Sequence, residues 1–159
     1  MSTLGATVSQ LFARWRGQGL SIRPPCTLAA IVAFEKREQL ILPEDLRAYW
    51  LAGDGMSETL GQSKDNEGFS FWPLHRLSRA DKELAHRSPH TPVPPNAVDY
   101  YVFADYLDWC WAYAVKLRSD GVGTVVIVGA KAVNVVAPSF AEFIQLYLSD
   151  DRALYPEAT

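Results

Sequence analysis

Cysteine is scarce in this chain: Cys26 and Cys110 are the only two. Both stand in apolar surroundings without CxxC spacing. That excludes a disulfide-stapled fold and a zinc ribbon, and it predicts buried free thiols. No apolar run is long enough to span a bilayer. No charged segment followed by an apolar one opens the sequence, so a secretory leader is not expected. Histidine is confined to His75, His86 and His90. His86 and His90 are four apart, but Pro89 spoils the helix that would align them. No cysteine or carboxylate completes a zinc set with them, so no metal is expected and exposed histidines are. Basic blocks are missing too. A net charge of −3 and a pI of about 5.6 do not suit a nucleic-acid binder. Acids are missing from residues 1–34, which carry Arg14, Arg16 and Arg23. A transit peptide shares that composition. Yet Leu4, Val8, Leu11, Phe12 and Trp15 recur at helical spacing and predict a packed first helix, with the cytoplasm as the expected location.

Catalytic signatures are equally thin. "GMSETLGQSK" misses the spacing of a phosphate loop and follows a helix where that loop follows a strand. "GVGTVV" lacks a third glycine. "DGMSE" lacks the alternating acids of a calcium loop. No GxSxG occurs. Cys110 is expected on the small-residue face of a strand, a place for packing rather than attack. No cofactor is implied.

What is present is an ordinary globular composition. The chain has 159 residues, 48% hydrophobic and 21% charged, which fits one domain over 1–159 with a proper core. Thr27 can cap a helix with Leu28, Ile31 and Val32 on one face. Glu35 follows on the buried side. It reads as a buttress accepting loop N–H groups, or else as a perturbed general acid. Pro43 suits the first turn of the next helix, and Glu44 and Asp45 suit its dipole. Leu46, Tyr49 and Trp50 give that helix its buried face. Gly53 is expected to end it in the left-handed conformation. Asp54 works against the dipole there, so it serves its own turn or a partner.

Residues 54–68 read as an exposed polar loop and "FSFWPL" at 69–74 as a strand. A short helix is expected at 79–87, then a proline-rich surface connector, "HRSPHTPVPP". The period then changes to two. "YYVFA", "WCWAYAVKL", "TVVIV" and "AVNVVA" read as an antiparallel meander, with Trp109, Trp111, Tyr113, Val115 and Leu117 on one large-residue face. "PSFAEFIQLYLSD" reads as a last helix. Ser139 and Glu142 form its capping box, and Phe140, Phe143, Ile144 and Tyr147 its buried side. The predicted class is α+β, an antiparallel meander sheet with helices on one face.

"IVAFEKREQLILPEDLRAYWLAGDG" resembles the signature of the SMI1/KNR4 family, the SUKH superfamily. Phe34 and Glu35, then Leu42 and Pro43, then a helix ending in a turn follow the family's order. Asp54-Gly55 replaces the usual Asn-Gly. The strand at "FSFWPL", "FAD" at 103–105 and the terminal "SFAEFIQLYL" are similar as well. The resemblance covers about residues 28–149. It implies a SUKH-like α+β domain without a catalytic centre. Bacterial members resemble immunity proteins that neutralise a cognate polymorphic or contact-dependent toxin inside the producing cell. Fungal members resemble signalling scaffolds. Glu35, Pro43, Gly53 and Gly55 become structural residues, with Asp54 on an exposed rim.

The expected partner is therefore a protein, a toxin domain such as a nuclease, and not nucleic acid or membrane. Candidate contact acids are Asp54, Glu58, Asp65 and Glu67 in the long loop, and Asp105 and Asp108 before the Trp109 strand. An acidic patch would oppose a basic nuclease site and speed association. Trp72 and Trp109 are candidate aromatic anchors. Taken one at a time, the acids also suit a solvated surface and the tryptophans a core. The alternatives are a general interaction scaffold and an enzyme with carboxylates around Glu35 and Glu44. Oligomeric state is left open.

Overall fold

The computed structural model describes residues 3–59, 61–87, 93, 96–130 and 134–156. The described helices are α1 (Thr3–Gly17), α2 (Leu28–Glu38), α3 (Glu44–Ala52), α4 (Ala80–Arg87) and α5 (Phe140–Ser149). The strands are β1 (Phe69–Phe71), β2 (Ser78–Arg79), β3 (Tyr100–Tyr106), β4 (Trp111–Lys116), β5 (Val125–Val128) and β6 (Asn134–Ala137). All pair antiparallel, in the order β1-β3-β4-β5-β6, with β2 also on β3. This is the expected α+β meander. Of the expected proline-rich connector, His86 and Arg87 belong to α4 instead, and the remainder apart from Val93 lies outside the described residues.

Alternation divides the sheet into two faces. Phe69, Phe71, Tyr101, Phe103, Tyr113, Val115, Val125 and Ile127 turn to the main core, under α1, α2, α3 and α5. Aromatic rings fill it. Phe71 lies 5.0 Å from Trp15 and 5.1 Å from Tyr147, centre to centre, and Phe103 lies 5.3 Å from Phe143. Such pairs add about 0.5–1.5 kcal/mol each beyond area burial. The second face is smaller. Val102, Ala112, Ala114, Val126 and Val128 pack there with Trp72 and with Ala80 and Leu84 of α4. Helices thus cover chiefly one face, and α4 alone caps the other.

Caps fix the helix ends. Thr27 accepts from Ala30 N at 3.0 Å and Ser139 from Glu142 N at 3.1 Å. Asp45 of α3 accepts from Ala141 N in the first turn of α5 at 3.0 Å. Arg14 of α1 donates to the carbonyls of Tyr147 and Leu148 at the far end of α5. These contacts satisfy groups that a helix terminus leaves open.

Local details depart from expectation. Leu28 is exposed, and α2 buries Ile31, Phe34 and Glu35 instead. Gly53 has φ −180°, which is extended rather than left-handed. Its lack of a side chain serves packing, because a Cβ would stand 2.8 Å from Ile22 and 2.9 Å from Phe12. Gly55 is the left-handed residue, at φ +78°, and a Cβ there would lie 2.8 Å from the Trp72 carbonyl. The strand expected from Trp109 starts at Trp111. Leu107, Asp108 and Trp109 all have positive φ and form a left-handed turn instead. Cys110 is therefore exposed and off the strand, and Cys26 is half-buried.

Candidate functional site

The loop from Asp54 to Gly68 is folded into the protein more than its polarity predicts. Asp54 is buried, which corrects its expected place on an exposed rim. Its Oδ1 accepts from Leu74 N at 2.8 Å and from Cys26 Sγ at 3.1 Å, and Arg23 Nε reaches Oδ2 at 3.4 Å. Asp54 joins the end of α3 to the segment after β1. Burial, then the hydrogen bond to Asp54, pushes the Cys26 thiol up to about 12. Asp65 is also buried, against its expected exposure. Oδ1 accepts from the N–H groups of Glu67, Gly68 and Phe69, and Oδ2 accepts from the Tyr147 hydroxyl. Burial raises its pKa, and the hydrogen bonds from Tyr147 and Phe69 oppose the rise without cancelling it. Both carboxylates organise loops. Glu67 is exposed and does not line the cleft described next.

Glu35 joins α2 to the start of α3. Oε2 accepts from Leu42 N at 2.8 Å and Oε1 from Arg47 Nη2 at 2.6 Å. Burial acts to raise its pKa. The Arg47 hydrogen bond, the Leu42 N–H and the Arg47 charge outweigh it, so the carboxyl lies below its ordinary value.

The remaining candidates meet on the second face. Phe103 bulges between Val102 and Ala104. Phe103 and Ala104 both join the main core, and alternation resumes one residue late. Asp105 consequently falls on the second face, opposite Ala112 and beside Ser70. Its Oδ2 accepts from Trp72 Nε1 at 2.8 Å. Burial lifts the Asp105 pKa, and the Trp72 hydrogen bond, the Arg76 charge and the Trp109 N–H only partly offset it.

Above this floor lies a cleft of about 300 Å³. Ser57, Glu58, Ser63, Lys64, Pro73 and Arg76 line it. Asp105, Asp108, Trp109 and Arg87 close it. Trp72 is buried in the second core and does not line the cleft, which corrects its expected place as an exposed anchor; its ring centre lies 6.1 Å from that of the half-buried Trp109. The guanidinium carbon of Arg76 lies over the Trp72 ring, 4.0 Å from its centre, and that of Arg87 over Trp109 at 4.9 Å. The acids are engaged: Asp108 pairs with Lys64, and Glu58 stands 3.5 Å from Arg23 and 3.4 Å from His75. The expected acidic patch is thus a mixed-charge cleft, with Trp109 in its lining.

The structure brings Glu58, Trp72, Asp105, Asp108 and Trp109 together and leaves Asp54, Asp65 and Glu67 apart. Sequence reading missed Lys64, Arg76 and Arg87. The four-residue spacing of Trp72 and Arg76 is the one signal that could have pointed to a cation over a ring. Among the described residues no group of three or more His, Cys, Asp or Glu side chains could hold a metal. No described helix is long and apolar enough to cross a membrane.

Comparison with curated proteins gave no match. The family model described as SMI1 / KNR4 family (SUKH-1) matches residues 25–146, well over half of the chain, close to the span that carried the resemblance. With the antiparallel sheet and its helices in place, the chain belongs to the SMI1/KNR4 family, SUKH-1.

Proposed function

We propose that this chain is a protein-binding domain, without enzymatic activity of its own, that acts as an immunity protein. It neutralises a cognate bacterial toxin domain by occluding it in the cytoplasm of the producing cell. The SMI1/KNR4 family includes immunity proteins, which supports the class. The observation that carries the choice of surface is the cleft at Trp109. It unites the half-buried Trp109 ring, Arg76 and Arg87 held over tryptophan rings, and the exposed Glu58 and Asp108. Aromatic and arginine side chains are the residues that most often dominate protein interfaces. Glu35 speaks against the enzyme reading. Its oxygens are held by Leu42 and Arg47, and its pKa is lowered, opposite to what a general acid needs.

The test is capture of the tagged full chain from its native strain, followed by coexpression. The expected result is a stoichiometric complex with the C-terminal domain of a large secreted protein, and protection of cells that express that domain. Trp109→Ala is expected to weaken the complex while leaving the fold intact. Capture of a constitutive housekeeping partner, without protection against any toxin, would replace immunity with the scaffold reading.

A further inference from the structure

The two edges of the sheet are finished differently. β1 stands at one edge, and its outward groups are used. The Phe69 and Phe71 carbonyls accept from Asp65 N at 2.9 Å and from Met56 N at 3.1 Å. The Phe69 N–H donates to the Asp65 carboxylate at 2.8 Å and the Phe71 N–H to the Met56 sulfur at 3.5 Å. Ile22 bridges to Met56 in turn. β2 shares that edge, is two residues long and runs straight into α4. β6 stands at the other edge, with β5 as its neighbour. Half of the backbone groups of an edge strand point away from the sheet. Among the described residues none donates to or accepts from that side of β6.

β6 is also unguarded. Asn134, Val135, Val136 and Ala137 include no charge and no proline, the residues that commonly protect an open edge. Val135 is 70% exposed, and among the exposed large apolar side chains of the described residues it alone stands on a strand. It pairs with Val126 on the second face, outside the cluster that α4 covers.

We infer that β6 pairs antiparallel with β6 of a second copy of this chain, joining the two sheets into one. Three features choose a second copy. The strand is neutral, so it meets itself without like-charge repulsion, although the whole chain carries −3. A twofold axis at Val135 sets Val135 against its counterpart and Asn134 against Val136, so that each face of one sheet continues the same face of the other. With β1 already covered, the contact has no second edge to repeat on, and assembly stops at two. Four paired residues bury less than the roughly 1,200 Å² of a stable interface, so the pair is weak and reversible.

Sedimentation of the full chain over a concentration series tests this, with Val135→Lys and Ile41→Lys as variants. Ile41 is 78% exposed and lies outside every described strand. Both side chains point to solvent, so both variants are expected to fold, as circular dichroism would check. The expected result is a monomer–dimer equilibrium with no larger species. Val135→Lys should weaken it roughly tenfold or more, because two lysines then meet at the axis, and Ile41→Lys should leave it unchanged. Hydrogen exchange at the β6 amides should slow as concentration rises. A monomer at every concentration up to about 1 mM would overturn the inference. So would a dimer unmoved by Val135→Lys, association lost equally in both variants, or growth beyond two copies. Protection of β6 that appears only on a captured toxin domain would overturn it too, and would give the edge to that partner. The measurement uses the pure chain, so it stands or fails apart from the immunity reading.

Discussion

The two faces of the sheet are packed differently. On the main face, large rings from β1, β3 and β4 interlock with α1, α3 and α5, and the Tyr147 hydroxyl donates to Asp65 there. On the second face, alanines and valines make a shallow floor under one short helix, and two tryptophans carry arginines at its edge. Stability concentrates where rings are buried on all sides. The second face leaves the Trp109 ring half-covered and Arg76 held over Trp72 without a hydrogen bond to any described residue.

Mutations sharpen this contrast. The largest loss is expected for Phe71→Ala, which empties a site between Trp15, Phe103 and Tyr147. It should cost about 3–5 kcal/mol, read by chemical denaturation. Trp109→Ala should cost far less and act on partner capture instead. Equal losses of stability would erase the distinction between the faces.

Gly55→Ala should come next, at about 2–3 kcal/mol. The left-handed backbone disfavours a side chain, and the new Cβ meets the Trp72 carbonyl at 2.8 Å. Glu35→Gln should follow, at about 1–3 kcal/mol, because a buried acceptor of Leu42 and Arg47 loses its charge. The pH dependence has a definite sign. The folded pKa of Glu35 is depressed, so its contribution is present above the unfolded carboxylate pKa. It is lost as pH falls through the folded value. The gap between parent and Glu35→Gln should therefore close in acid.

Asp105→Asn should run the other way. The folded pKa of Asp105 is raised, so its ionisation weakens the fold as pH rises through that value. Asparagine keeps an acceptor for Trp72 and removes the buried charge. It should be neutral to stabilising, by up to about 1 kcal/mol at neutral pH. That advantage should vanish below the ordinary aspartate pKa, as thermal melts across pH would reveal. The smallest effect concerns thiols. Cys110 is exposed, while burial and Asp54 push Cys26 up to about 12. A thiol reagent should label one site quickly and the other slowly.

The main face was legible because its residues declare themselves by period. Tyr113 and Val115 alternate along β4 with Trp111 packed at its edge, and Phe140, Phe143, Ile144 and Tyr147 recur along α5 in the positions where they are buried. The second face was not. One extra residue at Phe103 reverses the direction of Asp105, and a left-handed turn without glycine displaces Trp109. Neither leaves a mark in hydrophobic period. Asp54 and Asp65 misled for another reason. An acid in a polar stretch reads as solvated, yet their partners Leu74 and Tyr147 lie 20 and 82 residues further along the chain. Composition within a window cannot reveal a ligand that arrives from so far away.

The clasp between Arg14 and the last turn of α5 bridges more than 130 residues. Trp15 donates to the same Tyr147 hydroxyl that Asp65 accepts from. The first helix therefore has no finished seat until the last helix has been made. A chain that lacks α5 leaves Arg14, Trp15 and Asp65 without these partners. Chains truncated before Phe140 should therefore stay open to protease, as limited proteolysis would read.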